Sequence, residues 1–158
     1  MAEPFADKVM RQLDVASELY HRLIIVAAPA GAGKSSALRV IRERNRAPIV
    51  NVNLELSRRL LDLTERQRVL HVPQMLAETF NSFASEVILL DNTEILFDVS
   101  LRQDPLRLLQ GISRQKTIVV SWNGLVISEQ LTYAGPDHPE YRQYSSRGML
   151  LVSPEVLE

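Results

Sequence analysis

The chain has 158 residues, and its 18 Lys and Arg side chains are nearly balanced by 19 Asp and Glu, which leaves a formal net charge of -1. Apolar residues make up 46% and charged residues 23%, the mix of a globular protein long enough to bury its own core. Cysteine is absent, which excludes a disulfide scaffold, a cysteine-ligated metal site and a cysteine nucleophile. The near-neutral charge argues against a protein dedicated to nucleic-acid binding.

The apolar runs are too short for a membrane-spanning helix. The run at residues 23–30 is about a third of the roughly 20 residues that a span needs. The first 21 residues carry Glu3, Asp7 and Asp14 where a signal peptide would be apolar. We therefore expect a cytoplasmic protein with no membrane partner.

Apolar periodicity predicts helices and strands that alternate along the chain. The predicted helices are 5–21, 34–45, 54–65, 73–84 and 105–111, and the predicted strands are 23–28, 49–53, 87–91, 117–122 and 149–152. A polar loop is predicted at 133–148. Strands that are apolar throughout are typical of a parallel sheet covered by helices on both faces. We expect an α/β fold in a single domain over residues 1–158, with an N-terminal helix in 1–22 and the core in 23–158.

The segment from Ala28 to Ser35 matches the Walker A phosphate-binding pattern, with Ala28 in place of the first glycine. Small residues let main-chain N–H groups approach phosphate oxygens, and the helix that begins at Lys34 directs its amino terminus at the same anion. Lys34 can reach the β and γ phosphates of ATP, and the Ser35 hydroxyl can ligate Mg²⁺. The expected nucleotide-binding residues are Pro29, Ala30, Gly31, Ala32, Gly33, Lys34, Ser35 and Ser36. An alanine at position 28 requires a negative φ, and the alternative is an ordinary glycine-rich turn.

Asp91 follows four apolar residues, as in a Walker B strand, and is expected to join Ser35 in holding Mg²⁺ or its water. The next residue, Asn92, can orient a water molecule but cannot take its proton. Glu94 is therefore the candidate base for ATP hydrolysis. The alternative is that Glu94 is a solvated side chain at the start of a helix.

Polar side chains also follow the other predicted strands. Asn53 follows the second strand, and Asn123 or Ser121 at the end of the fourth can contact the γ-phosphate or the attacking water. Alternatively, Asn123 and the glycine after it only form a turn. Trp122 is expected to pack in the core. In the polar loop, Arg142 and Arg147 are candidates for an arginine finger that acts on a neighbouring subunit's nucleotide, or else they belong to a surface connection.

Five segments together resemble a known family: AAPAGAGKSSAL (27–38), VILLDNTEILFD (87–98), DPLRLLQGISR (104–114), TIVVSWNG (117–124) and LTYAGPDHPEYRQY (131–144). They are similar to the BrxF-type small P-loop ATPases of type 3 BREX phage-exclusion systems. The likeness covers nearly the whole chain, and SWNG and HPEYRQY are its specific part. It implies an ATP- and Mg²⁺-binding component of bacterial antiviral defence. Its partners would be other proteins of the same operon, typically a DNA methyltransferase, a large ATPase and a phosphatase-like protein.

The order of the motifs is also similar to that of AAA+ and initiator-type ATPases. This likeness implies a P-loop NTPase core whose five-stranded, mainly parallel sheet has the order 5-1-4-3-2, and it gives Asn123 or Ser121 the role called sensor 1. Such proteins usually carry a helical lid, for which the sequence ending at Glu158 leaves no room. An ATP-dependent homo-oligomer is a candidate assembly.

Three functions stay open on the sequence. The first is an ATPase in a DNA-directed defence complex, and the second is a nucleotide-gated adaptor with little hydrolysis, as Asn92 indicates. The third is a small-molecule P-loop kinase in which Arg58, Arg59, Arg66 and Arg68 belong to a mobile lid. A GTPase is disfavoured because the Asn-Lys-x-Asp motif is missing. Contact with DNA is a further candidate role, in which Arg39, Arg42 and Arg46 of one helix contact the phosphates. The alternative is that these three arginines form a solvated helix face.

Overall fold

A computed structural model describes residues 5–153. The helices are α1 (Phe5–Ala16), α2 (Lys34–Asn45), α3 (Val52–Leu60), α4 (Glu65–Asn81) and α5 (Pro105–Ile112), with short 3-10 helices at Glu94–Phe97 and Val99–Leu101. The strands are β1 (Leu23–Ala28), β2 (Ile49–Asn51), β3 (Val87–Asp91), β4 (Thr117–Asn123), β5 (Val126–Ile127), β6 (Gln130–Tyr133), β7 (Arg142–Ser145) and β8 (Leu150–Val152).

Five of these strands form a parallel sheet in the order β2-β3-β4-β1-β8. When the five are numbered by their succession along the chain, the order is 5-1-4-3-2, so the predicted α/β architecture and strand order are confirmed. In the register of the sheet, Ala28 lies opposite Asn123 and Asn51 lies opposite Asp91. The polar residues that end these strands therefore meet at one edge, the carboxyl edge of the sheet.

Helices cover both faces of the parallel sheet. On one face, Ile24, Leu89 and Val119 of the strands pack with side chains of α1 and α2. On the other face, strand residues such as Ile25 and Val120 pack with α3, α4, α5 and the 3-10 helices. Full burial of an aliphatic side chain stabilises the fold by about 1.5–3 kcal/mol, so the two layers of helices stabilise the sheet.

Two predicted elements end earlier than expected. The helix predicted at 5–21 stops at Ala16, because the N–H groups of Glu18 and Leu19 donate to carbonyls three residues back and turn the chain towards β1. The strand predicted at 49–53 stops at Asn51. The Asn51 side chain accepts the N–H of Leu54 and thereby caps α3, which places Asn53 in a helix.

The helix boundaries predicted at 54–65 and 73–84 are also wrong, because α4 begins at Glu65 and runs through Pro73. Thr64 and Gln67 form a reciprocal capping box that starts the helix. A proline within a helix leaves the carbonyl four residues earlier without its N–H donor. Here that carbonyl belongs to Val69, and the Gln103 Nε2 donates to it at 2.9 Å.

A second sheet was missed by the sequence analysis. Strands β5, β6 and β7 form a three-stranded antiparallel sheet, so the loop predicted at 133–148 contains a strand. The hairpin between β5 and β6 turns through Ser128 and Glu129, whose φ values are 50° and 62°. Turns of this kind usually carry Asn-Gly or a similar pair. Because Ser128 and Glu129 stand there, the usual sequence signal for a hairpin is missing.

Four aromatic rings join the two sheets. Trp122 is fully buried and lies edge-on to Phe97, Tyr133 and Tyr144, while Phe97 and Tyr133 stack with their planes within 5°. The Trp122 indole N–H donates to the Thr132 carbonyl at 2.9 Å. The expectation that Trp122 packs in the core is therefore confirmed.

Within residues 5–153, none of the helices has the length and apolar character needed to cross a membrane.

Gly124 provides a test of how the two sheets are joined. A Cβ placed there would collide with the Thr132 carbonyl and lie 2.8 Å from the Trp122 Nε1. We expect Gly124→Ala to lower the free energy of unfolding by about 2–4 kcal/mol, since the strands must separate and the indole hydrogen bond is lost.

Gly135→Ala is the matched control, because an added Cβ there meets nothing within 4 Å. It should stay within about 0.5 kcal/mol of the parent or exceed it. Urea denaturation measures both variants, and equal stabilities for the two would contradict the close approach at Gly124.

Candidate functional site

The loop after β1 has a backbone that is compatible with a phosphate-binding loop. Gly31 and Gly33 have φ values of 82° and 96°, a left-handed region that favours glycine. Ala28 is the last residue of β1 and keeps a negative φ, which satisfies the condition for alanine at that position. The space beside both glycines, where a Cβ would lie, is open.

Helix α2 starts from this loop. Gly33 is its N-cap and has no side chain to accept a hydrogen bond from the first turn. The first-turn N–H groups of a helix have no carbonyl partners within the helix. They and the positive end of the helix dipole therefore favour an anion at the loop.

Lys34 is only 6% exposed, and its ammonium group donates to the carbonyls of Ala28 and Pro29, both at 2.7 Å. Burial lowers the pKa of Lys34 from its ordinary value, and the opposite charges of Asp91 and Glu94 act against this shift. The ammonium group is thus bound to its own loop, although an anionic ligand would offer it stronger acceptors.

Asp91 connects three parts of the chain through its carboxylate. The Ser35 hydroxyl donates to Oδ2 at 2.7 Å, and the Ser121 hydroxyl donates to Oδ1 at 2.7 Å. The N–H of Asn92 also donates to Oδ1, at 3.0 Å. Asn92 has a φ of 52°, a conformation that asparagine adopts more readily than most residues.

Glu94 lies at the start of a 3-10 helix and is held by two amides. Asn53 donates to Oε2 and Asn123 donates to Oε1, both at 2.9 Å. The side-chain Oδ1 of Asn53 also accepts the N–H of Ile95, at 2.7 Å. Glu94 is therefore not a freely solvated side chain, and its two carboxylate oxygens both accept hydrogen bonds within the site.

These groups surround an open pocket of about 350 Å³, within the range of small-ligand sites. Its lining residues come from the loop, α2 and the ends of β3 and β4: Ala30, Gly31, Gly33, Lys34, Ser35, Ser36, Asp91, Asn92, Glu94, Ser121 and Asn123. Of the expected nucleotide-binding residues, Pro29 and Ala32 do not line it. Pro29 instead accepts hydrogen bonds from Lys34 and from the N–H of Ala32.

The donor set fits a metal ion only when a ligand brings further oxygens. Within residues 5–153, no group of three or more His, Asp or Glu side chains is placed to hold a metal ion. Ser35 and Asp91 supply one hydroxyl and one carboxylate, and Mg²⁺ is typically bound by one or two protein groups together with substrate phosphates and water. The pair therefore fits Mg²⁺ carried by a nucleotide.

The predicted arginines lie outside this pocket. Arg142 is on β7 and donates to the Gln103 carbonyl at 2.8 Å, and Arg147 is exposed in the turn before β8. Arg58 and Arg59 are on α3, and Arg66 and Arg68 are on α4. Arg39, Arg42 and Arg46 are exposed on α2 and at its end.

The sequence does not predict the contacts that Asn53 makes. It was expected only as a polar residue after a strand, whereas it is the second residue of α3 and contacts Glu94 and Ile95. The signal for it was the asparagine pair at 51 and 53, in which the first residue caps the helix and the second faces the site. Ser121, a candidate for contact with the phosphate, lines the pocket and donates to Asp91.

No protein-family model and no curated protein sequence matches this chain.

Proposed function

We propose that this protein is a P-loop ATPase that binds Mg-ATP at the pocket between the 28–35 loop and the ends of β3 and β4. The observation that carries the proposal is the hydrogen bond from Ser35 to Asp91, 2.7 Å long, beside the buried ammonium of Lys34. A hydroxyl at the start of a helix, a carboxylate at a strand end and a lysine between them form the set that binds a metal-bound triphosphate in P-loop proteins.

Each group of the chain has a distinct task in this proposal. Mg-ATP, when bound, supplies an activated phosphoryl group and the divalent charge that compensates it. The N–H groups of the loop and the first turn of α2 orient the phosphates. Lys34 would exchange its two carbonyl acceptors for phosphate oxygens, and Ser35 and Asp91 would hold the metal. Glu94 would accept the proton of a water that attacks the γ-phosphorus as the bond to ADP breaks, and Asn123 would orient that water.

A nucleotide-gated adaptor with little turnover is the second candidate function, and a specific observation favours it. Both carboxylate oxygens of Glu94 accept hydrogen bonds from side-chain amides, which restrain its position. Asn92, next to Asp91, cannot act as a base. The unstimulated protein would therefore hydrolyse ATP slowly, and a partner that releases Glu94 would accelerate it.

We further propose that the protein works in a bacterial BREX antiphage system with the other proteins of its operon. This rests on the resemblance of the five sequence segments to the BrxF-type ATPases. An ATP-dependent homo-oligomer would allow Arg142 or Arg147 to reach a neighbouring nucleotide, since both lie outside their own pocket. Gel filtration with and without Mg-ATP tests this assembly.

Removal of the lysine tests nucleotide binding. A ligand at about 100 times its Kd stabilises a protein by about 2.7 kcal/mol, or about 5–10 °C in Tm for this length. We expect Lys34→Ala to lose this shift with Mg-ATP, because the phosphates lose their cation. Differential scanning fluorimetry measures it, and Arg42→Ala, an exposed change on the same helix, should retain the full shift. An undiminished shift in Lys34→Ala would contradict the proposal.

The affinity for Mg-ATP should fall as pH rises through the alkaline range. Burial lowers the pKa of Lys34 in the free protein, whereas phosphate oxygens favour its charged form and raise it. Between the lowered pKa and the ordinary value of 10.5, binding therefore takes up a proton. Calorimetry above about pH 8 in buffers of different ionisation enthalpy measures this uptake, because the phosphates of the nucleotide are already deprotonated there. Proton release in that range would refute the assignment.

Glu94→Gln separates binding from hydrolysis. The variant keeps a side chain of the same shape but cannot accept a proton, so steady-state phosphate release should fall by about 100- to 10,000-fold. The thermal shift with Mg-ATP should persist. Glu43→Gln, which changes an exposed glutamate on α2, should leave turnover unchanged. Turnover that survives Glu94→Gln would remove Glu94 as the base.

A further inference from the structure

A second set of concave surfaces lies at the opposite, amino-terminal edge of the parallel sheet. The segment 17–22 leads into β1 there, and the segment 113–116 leads into β4. An open hollow of about 670 Å³ is lined by Ser17, Leu19, Tyr20, Arg22, Gly111, Arg114 and Gln115. It shares Gly111 and Gln115 with a groove between α4 and α5, and it shares Leu19 with a small cleft near β8. The three hollows therefore adjoin one another.

Among the described residues that line this path, the charged side chains are three arginines, Arg22, Arg107 and Arg114. The phenol of Tyr20 and the imidazole of His21 line it as well. Among the described residues that line the three hollows there is no carboxylate, although the chain as a whole has slightly more acidic than basic groups. The path thus differs from the ATP pocket, which is lined by Asp91 and Glu94, and it favours an anionic ligand.

An exposed aromatic stack stands beside these arginines. The rings of Tyr20 and His21 lie 4.8 Å apart with their planes within 10°, and the Arg114 guanidinium lies 5.0 Å from the centre of the Tyr20 ring. Tyr20 is 62% exposed, and both of its stacking neighbours are exposed as well. Exposed rings with a fixed orientation are costly to leave in water, and they present flat surfaces on which another planar group can stack.

Arg22 adds a positioned cation. One of its terminal nitrogens donates to the main-chain carbonyl of Arg114 at 3.0 Å, which ties the two segments together at the hollow. The guanidinium group has five N–H donors in total, so donors remain for a phosphate.

We propose that this edge binds single-stranded nucleic acid. The bases stack on the Tyr20–His21 platform, and the phosphates contact Arg22 and Arg114. A duplex has no unstacked bases to offer such a platform, and an acidic peptide has carboxylates but lacks the flat rings. The site is separate from the ATP pocket and does not depend on nucleotide.

Fluorescence anisotropy with labelled oligothymidylate of about 16 nucleotides tests the proposal on the full chain. Tyr20→Ala should weaken binding by about 5- to 100-fold, and Tyr20→Phe should bind within about twofold of the parent, because the ring rather than the hydroxyl stacks. The double variant Arg22→Ala/Arg114→Ala should reduce the slope of log affinity against log salt by about 1.4, the value for two phosphate contacts on a single strand.

Two control variants locate the site. Arg39→Ala on α2 and Arg58→Ala on α3 each remove one exposed arginine elsewhere and should leave the affinity unchanged. The proposal is overturned if Tyr20→Ala and the arginine double variant bind like the parent, or if Arg39→Ala alone abolishes binding. It is equally overturned if a duplex of the same length, or polyglutamate in competition, binds as tightly as the single strand. If Tyr20→Ala does not fold, the salt dependence of binding is measured on Arg114→Gln, a change at an exposed position.

Discussion

The carboxylate of Asp91 accepts hydrogen bonds from two serines that belong to different parts of the chain. Ser35 lies in the first turn of α2, and Ser121 lies near the end of β4. They reach one carboxylate because β3, β4 and β1 are consecutive in the parallel sheet, so their carboxyl ends lie along the same edge. The loop after β1 and the polar ends of its neighbours can form one pocket only in this order, so the geometry of the candidate site follows from the strand order.

Most of what the sequence predicted correctly depends on strong local patterns. Apolar runs identify the five strands of the parallel sheet. Gly31 and Gly33 have positive φ values that favour glycine over other residues. Two of the errors arose where a distant contact decided the structure. Pro73 would end a helix by itself, but Gln103 compensates for the lost hydrogen bond at Val69. The role of Asn53 depends on Glu94, which is 41 positions away, and periodicity carries no information on such a pair.

The two edges of the parallel sheet differ in chemistry. The carboxyl edge combines two acidic side chains with a buried lysine and exposed helix-start N–H groups, which suits a ligand that brings its own divalent cation. At the opposite edge, the described lining residues include arginines and no acidic side chain, which suits an anion without a metal. An α/β fold separates such regions naturally, because loops that leave the strands and loops that enter them emerge on opposite sides.

Trp122, the single tryptophan of the chain, lies where the two sheets meet, next to the pocket. Its indole is surrounded by Tyr133 and Tyr144 of the antiparallel sheet and by Phe97 of a 3-10 helix. Its main chain immediately precedes Asn123, which contacts Glu94. The intrinsic tryptophan fluorescence of the protein therefore originates from one position that adjoins the pocket and the junction between the sheets. Emission from this indole shifts to longer wavelength when water reaches it, so separation of the antiparallel sheet from the rest of the protein is visible without any attached dye.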